Sequence, residues 1–221
     1  MISADHGLRA MLTIDLPPGF TQNLVDSLPL LYQEAHAAVN GNPDLGDSEA
    51  NYLLGHYRRA IAETKLRQLA LLHNIFVETV KPEKGGCEHV RLKVGRFALT
   101  MCHVPCPAGF PRQSESREQY ALINEHIRQQ QIFPVQSNPA NSKIYGIIIH
   151  TEESHNKQNL ASAAIGFPNH SFDGWVEEPI DLMDLRDIQV QKYQREDDLQ
   201  SQVQSAEPVW KSHEQLEEDT E

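Results

Sequence analysis

Ile144-Tyr145-Gly146-Ile147-Ile148-Ile149 constrains the fold most. The run is apolar at almost every position and rich in β-branched side chains, so neither face is left for water. It predicts a central strand buried on both faces.

Other segments supply the neighbours. Val90, Leu92 and Val94 alternate with Arg91, Lys93 and Gly95, and Phe97, Leu99 and Met101 alternate with Ala98, Thr100 and Cys102. Both read as strands, with a turn or bulge at Gly95-Arg96. The second ends at Cys102-His103, before the Pro-rich loop 104–111. Ala161 to Phe167 reads as a further strand, stopped by Pro168-Asn169. Near the start, Leu12, Ile14 and Leu16 alternate with Thr13 and Asp15, which predicts a short strand ended by Pro17-Pro18-Gly19.

Helices are expected between these. Thr21 caps a short one, and Pro29 begins a second over 29–39, closed by Asn40-Gly41-Asn42-Pro43. Ser48 caps the longest, predicted to run to about Val80 with a stripe of Leu54, Tyr57, Ile61, Leu69, Leu72 and Phe76. Arg58, Arg59, Lys65 and Arg67 fall mostly off that stripe, and Pro82 and Gly85-Gly86 end the element. Ser114 or Ser116 caps another, with Tyr120, Ile123, Ile127 and Gln131 on one face and a stop at Phe133-Pro134. Ile180 to Val190 reads as a short amphipathic helix.

The order β-α-α-β-β-α-β-β-α predicts an α+β fold, a mostly antiparallel sheet of four to five strands packed on N-terminal helices. Residues 1–191 form one domain, mainly helical over 20–82 and β-rich over 87–170. Residues 192–221 read as an acidic, flexible tail.

Charge is segregated along the 221 residues, whose formal net charge is -12. Residues 177–221 hold 14 acids against four bases, and residues 1–176 hold 17 acids against 15 bases. Within 56–96 there are nine bases and four acids. An acidic end suits contact with a basic partner surface, or with the chain's own basic stretch. The leading functional expectation is therefore a non-enzymatic interaction or regulatory protein, inhibitor or antitoxin-like, with the apolar pair Val209-Trp210 available to a partner. Arg58, Arg59, Arg91 and Lys93 are the candidate contacts for a phosphate backbone.

No stretch reaches the roughly 20 apolar residues of a membrane span, and Asp5, His6 and Arg9 interrupt any signal-peptide pattern. With only Cys87, Cys102 and Cys106, a disulfide framework is not expected. These features predict a cytoplasmic protein without membrane contact.

The alternative expectation is a nuclease or a small metal-assisted hydrolase. His103 ends one predicted strand; His150 ends another, with Glu152, Glu153 and His155 just beyond. If the strand ends adjoin, imidazoles and carboxylates converge for acid–base or metal chemistry. Cys102-His103-Val104-Pro105-Cys106 has ligand types suited to zinc, but no second ligand pair follows. Arg67-Gln68-Leu69-Ala70-Leu71-Leu72-His73 resembles the arginine-to-histidine spacing of HEPN-type ribonucleases, in which that pair cleaves RNA. Arg96 to His103 has comparable spacing on a strand, and the β-rich second half departs from that all-helical family. The phosphate-loop, dinucleotide, serine-hydrolase and H-E-x-x-H signatures are absent, as is an Asp…Glu-x-Lys array. No cofactor is called for.

Overall fold

The computed structural model describes residues 5–82, 87–125, 127 and 144–206. In chain order its elements are α1 (Asp5–Asp15), α2 (Pro18–Asn40), α3 (Asp47–Leu72), β1 (Phe76–Val80), β2 (His89–Val94) and β3 (Phe97–His103). Then come α4 (Glu115–Ala121) with a 3-10 turn at Leu122–Asn124, β4 (Ile144–Glu152), β5 (Leu160–Gly166), β6 (Ile180–Asp181) and α5 (Leu182–Ala206). The strands make one sheet in the order β1 to β6. All neighbours are antiparallel except β3 and β4, which run parallel. The α+β class and the largely antiparallel sheet agree with the sequence. The sheet has six strands where four to five were expected.

β4 is buried on both faces, as its composition requires. Ile144 and Ile148 join the main core beneath α1, α2, α3 and α5. Tyr145, Ile147 and Ile149 join a second, smaller core with Val104, Ala121 and Phe172. Burying each such apolar side chain contributes roughly 1.5–3 kcal/mol. β5 pairs with β4 only from Ile147 onward. The Asn124 side chain takes the strand's place at Tyr145, accepting from its N–H at 2.8 Å and donating to its carbonyl at 2.9 Å.

The hairpin from β2 to β3 turns at Gly95-Arg96, as expected. Gly95 has a φ of 51°, and a Cβ there would run into the Asp15 carboxylate. Arg96 grips that carboxylate with two side-chain bonds, 2.8 and 3.0 Å, and a backbone N–H bond of 2.9 Å. Burial pushes the Asp15 carboxyl up, but the Arg96 bonds outweigh it and hold the group below its usual range.

Four expectations are corrected. Leu12, Ile14 and Leu16 lie on α1 and not on a strand. Leu8, Leu12 and Leu16 are buried four residues apart, while Ile14 is 66% exposed. The four-residue repeat, continuing through Phe20, Leu24 and Leu28, is the physical period. Pro29 does not begin a helix; α2 runs through it. An interior proline costs about 3 kcal/mol. Leu24, Leu28, Leu31 and Tyr32 are buried on that helix and offset the cost.

The helix predicted to Val80 stops at Leu72. Asn74 takes a φ of 55°, and Phe76-Val77-Glu78-Thr79-Val80, good strand formers, become β1. Its buried stripe is Ala50, Leu54, Arg58, Ala62, Leu66 and Ala70, so Arg58 lies on the stripe while Tyr57, Leu72 and Phe76 are exposed.

The helix expected over 180–190 begins after a two-residue strand and continues to Ala206, so position 192 falls inside α5. Residues 207–221, with Trp210, lie outside the described residues, as do Gln131, Phe133 and Pro134. Among the described residues no helix is long and apolar enough to cross a membrane.

Candidate functional site

The parallel pairing of β3 and β4 decides the site. Strands running the same way finish at the same edge of the sheet, and the register sets His103 directly beside His150. Their ring centroids are 5.7 Å apart. Alternation along β4 puts Glu152 on the same face as His150. Two helices roof that face. α2 contributes Tyr32, whose hydroxyl shares a 2.7 Å hydrogen bond with His150 Nδ1. α3 contributes Arg58, whose guanidinium carbon lies 4.4 Å from the centre of the Tyr32 ring.

Arg58 Nη1 donates to Glu152 Oε2, and its Nη2 donates to the Lys157 carbonyl at 2.8 Å. Glu152 Oε2 is in turn 3.6 Å from His103 Nε2, longer than a hydrogen bond and an ion pair only when His103 is protonated. The five side chains therefore close a circuit: Tyr32, His150, His103, Glu152, Arg58 and back to Tyr32.

Burial divides the circuit into a floor and an opening. His150 is 2% exposed and Arg58 is 3% exposed. The His103 side chain is 38% exposed and Glu152 22%, so His103 is the most open member. Burial, then the neighbouring His103 and Arg58, push His150 down to about 3, so it is neutral at physiological pH. Burial also lowers His103; Glu152 pulls it up and Arg58 pushes it down, leaving it below its ordinary value. Burial raises the Tyr32 hydroxyl, with Arg58 opposing and Glu152 adding to the rise. The result is one open neutral imidazole beside an anchored carboxylate.

Of the residues anticipated for chemistry, His103, His150 and Glu152 come together. His155 is exposed in the β4–β5 turn and takes no part in the circuit. Glu153 accepts from Asn159 Nδ2 at 3.0 Å. Cys102 is adjacent to His103 in sequence, and alternation sends it to the opposite face, where its sulfur accepts from Arg117 Nη2 at 3.1 Å. Cys87 and Cys106 are exposed. Among the described residues no three His, Cys, Asp or Glu side chains are grouped to hold a metal ion.

Arg67 and His73 have separate partners. Arg67 donates to Thr79 Oγ1 at 3.0 Å, and His73 Nε2 lies 3.0 Å from Asn23 Nδ2. Arg96 sits at the opposite end of β3 from His103. Arg58 belongs to the circuit, whereas Arg59, Arg91 and Lys93 pair with Glu63 and Glu78 elsewhere.

Sequence reasoning missed Tyr32 and the inward role of Arg58. A signal existed for each: Tyr32 continues Leu24 and Leu28 at four-residue spacing, and Arg58 interrupts an apolar stripe of the same period. A charged residue on a core stripe implies a buried partner. The chain matches no protein-family model, no curated protein and no solved structure.

Proposed function

We propose that the strand-end circuit is an acid–base catalytic site of hydrolase type, with His103 as the group that exchanges protons with substrate or water. The observation that supports this most is the solvent-open His103 imidazole held 3.6 Å from a carboxylate that a buried arginine fixes in place. Binding sites commonly lie beyond the carboxyl ends of parallel strands, and His103 and Glu152 both sit there.

In this reading neutral His103 accepts a proton from an attacking water through Nδ1. Glu152, facing Nε2, stabilises the imidazolium that results. The proton is then returned to the leaving group. Arg58 keeps the carboxylate aimed, and the Tyr32–His150 bond supports the floor beneath the ring. Tyr32, Arg58 and His150 are positioning residues.

The test uses 4-nitrophenyl acetate and bis(4-nitrophenyl) phosphate as generic ester and phosphodiester probes. Hydrolysis above the buffer rate is expected for at least one. His103→Ala should lose about 10²–10⁴-fold while keeping the native circular dichroism spectrum. No turnover of either probe by the native chain, or full turnover by His103→Ala, contradicts the reading.

A second reading concerns the C-terminal segment, which would engage a basic partner protein in an inhibitory or regulatory role. Its support is α5. Leu182 and Leu185 are in the core and Gln189 Nε2 donates to the Leu16 carbonyl at 2.9 Å. Beyond that anchor Val190 and Tyr193, three residues apart on one helix face, are exposed. Removing 192–221 should weaken partner binding, and by less in high salt. Identical salt-dependent binding with and without the segment contradicts it.

A further inference from the structure

Across the sheet from His103 lies a second cluster that the acid–base site does not use. Alternation along β2 buries Val90, Leu92 and Val94 against the long helices and turns His89, Arg91 and Lys93 to the other side. There α4 supplies Tyr120 and Arg117. The Arg91 guanidinium lies 4.6 Å from the Tyr120 ring centre, and His89 Nε2 is 3.1 Å from the Tyr120 hydroxyl. From α3, Arg59 donates to the Glu88 carbonyl at 2.9 Å.

Ion pairing there is uneven. Glu78 pairs with both Arg91 and Lys93, and Glu63 pairs with Arg59. Two carboxylates thus serve three cations, and Arg117 adds a fourth. Its donors meet only neutral atoms: the Arg112 carbonyl at 2.8 Å and the Cys102 sulfur at 3.1 Å. A sulfur is a weak acceptor, so a guanidinium resting on one is readily drawn to an anion.

We infer that the face where α4 packs on β2 is a binding site for a phosphate group, gripped by Arg117 and Arg91 with His89 and Tyr120 as hydrogen-bond partners. Guanidinium forks match phosphate oxygens two at a time, and the geometry leaves Arg117 able to turn one toward the ligand. His89 lies within reach of the charges around it. Burial first lowers its pKa; a Cys87 backbone bond and Glu63 raise it, and Arg59 and Arg117 lower it, for a net value below the ordinary one. An anion seated among these groups cancels the cationic contribution, so His89 protonates more readily when the site is filled. The inference is independent of the role given to His103.

The phosphate can be free or part of a nucleic-acid backbone, and two arms separate the sources. The full chain is titrated with inorganic phosphate and, separately, with a single-stranded oligonucleotide. NMR follows the His89 ring, and anisotropy follows the labelled strand. Binding in either arm is expected to raise the His89 midpoint. Arg117→Gln should weaken it at least tenfold, while Arg186→Gln, on α5, leaves it unchanged. Binding of the strand alone assigns the backbone as the source; binding of inorganic phosphate assigns the free anion. No binding of either at millimolar concentration, or equal binding by the native chain and Arg117→Gln, overturns the inference.

Discussion

The two faces of the sheet carry similar groups in different surroundings. Beneath α2 and α3, Arg58, Glu152, Tyr32 and two histidines are assembled with Arg58 and His150 almost wholly out of water. Between β2 and α4, Arg91, Glu78, Tyr120 and His89 make comparable contacts. There the Arg91 and Glu78 side chains remain 20% and 24% exposed and Lys93 is 38% exposed. Burial makes Tyr32, Arg58 and His150 a fixed scaffold, because none of the three can swap its partner for water, while His103 and Glu152 keep 38% and 22% of their side chains exposed. Exposure lets the second set rearrange around a ligand at small cost.

That contrast breaks most easily at the arginines. Arg58→Met is expected to lose about 1.5–3 kcal/mol in urea unfolding, since it removes the buried guanidinium's hydrogen bonds to Glu152 and the Lys157 carbonyl. Arg91→Met should lose less than about 1 kcal/mol. Equal losses would erase the distinction between the faces.

Acid sharpens the comparison further. His150 binds a proton in the unfolded chain near pH 6.5 and in the folded chain only near pH 3. The unfolded state therefore holds more protons between those values, and stability falls as pH drops through that window. The loss from this one group is about 2 kcal/mol between pH 6.5 and pH 5. His150→Gln should flatten the stability–pH curve by about that amount, measured as unfolding midpoints at each pH.

The smallest effect separates the two tyrosines. Tyr32→Phe leaves His150 Nδ1 buried without its partner and should cost about 1–2 kcal/mol. Tyr120→Phe, with His89 only half-buried and water at hand, should cost under about 0.5 kcal/mol.

The sheet was legible wherever alternation coincided with burial, as in Val90–Val94 and the isoleucine run of β4. It was misread at Leu12–Leu16, where two periods overlap and only the more distant Leu8 and Phe20 reveal which one is physical. The site was half legible. His103, His150 and Glu152 stand out as polar groups at strand ends, but their meeting depends on β3 and β4 being parallel, and that follows from a crossover through α4 that local patterning does not encode. Tyr32 and Arg58 lie over a hundred and over ninety residues from their partners, so only the packing of α2 and α3 on the sheet brings them in.

The direct test of the account is an NMR titration of the His103 and His150 rings in the native chain and in Glu152→Gln. His103 is expected to titrate below the ordinary value of about 6.5 and to move lower still in Glu152→Gln, because the carboxylate raises it. His150 should stay neutral until close to pH 3. A His103 midpoint unmoved by Glu152→Gln, or a His150 that protonates near pH 6.5, would contradict a carboxylate-poised imidazole set on a neutral floor.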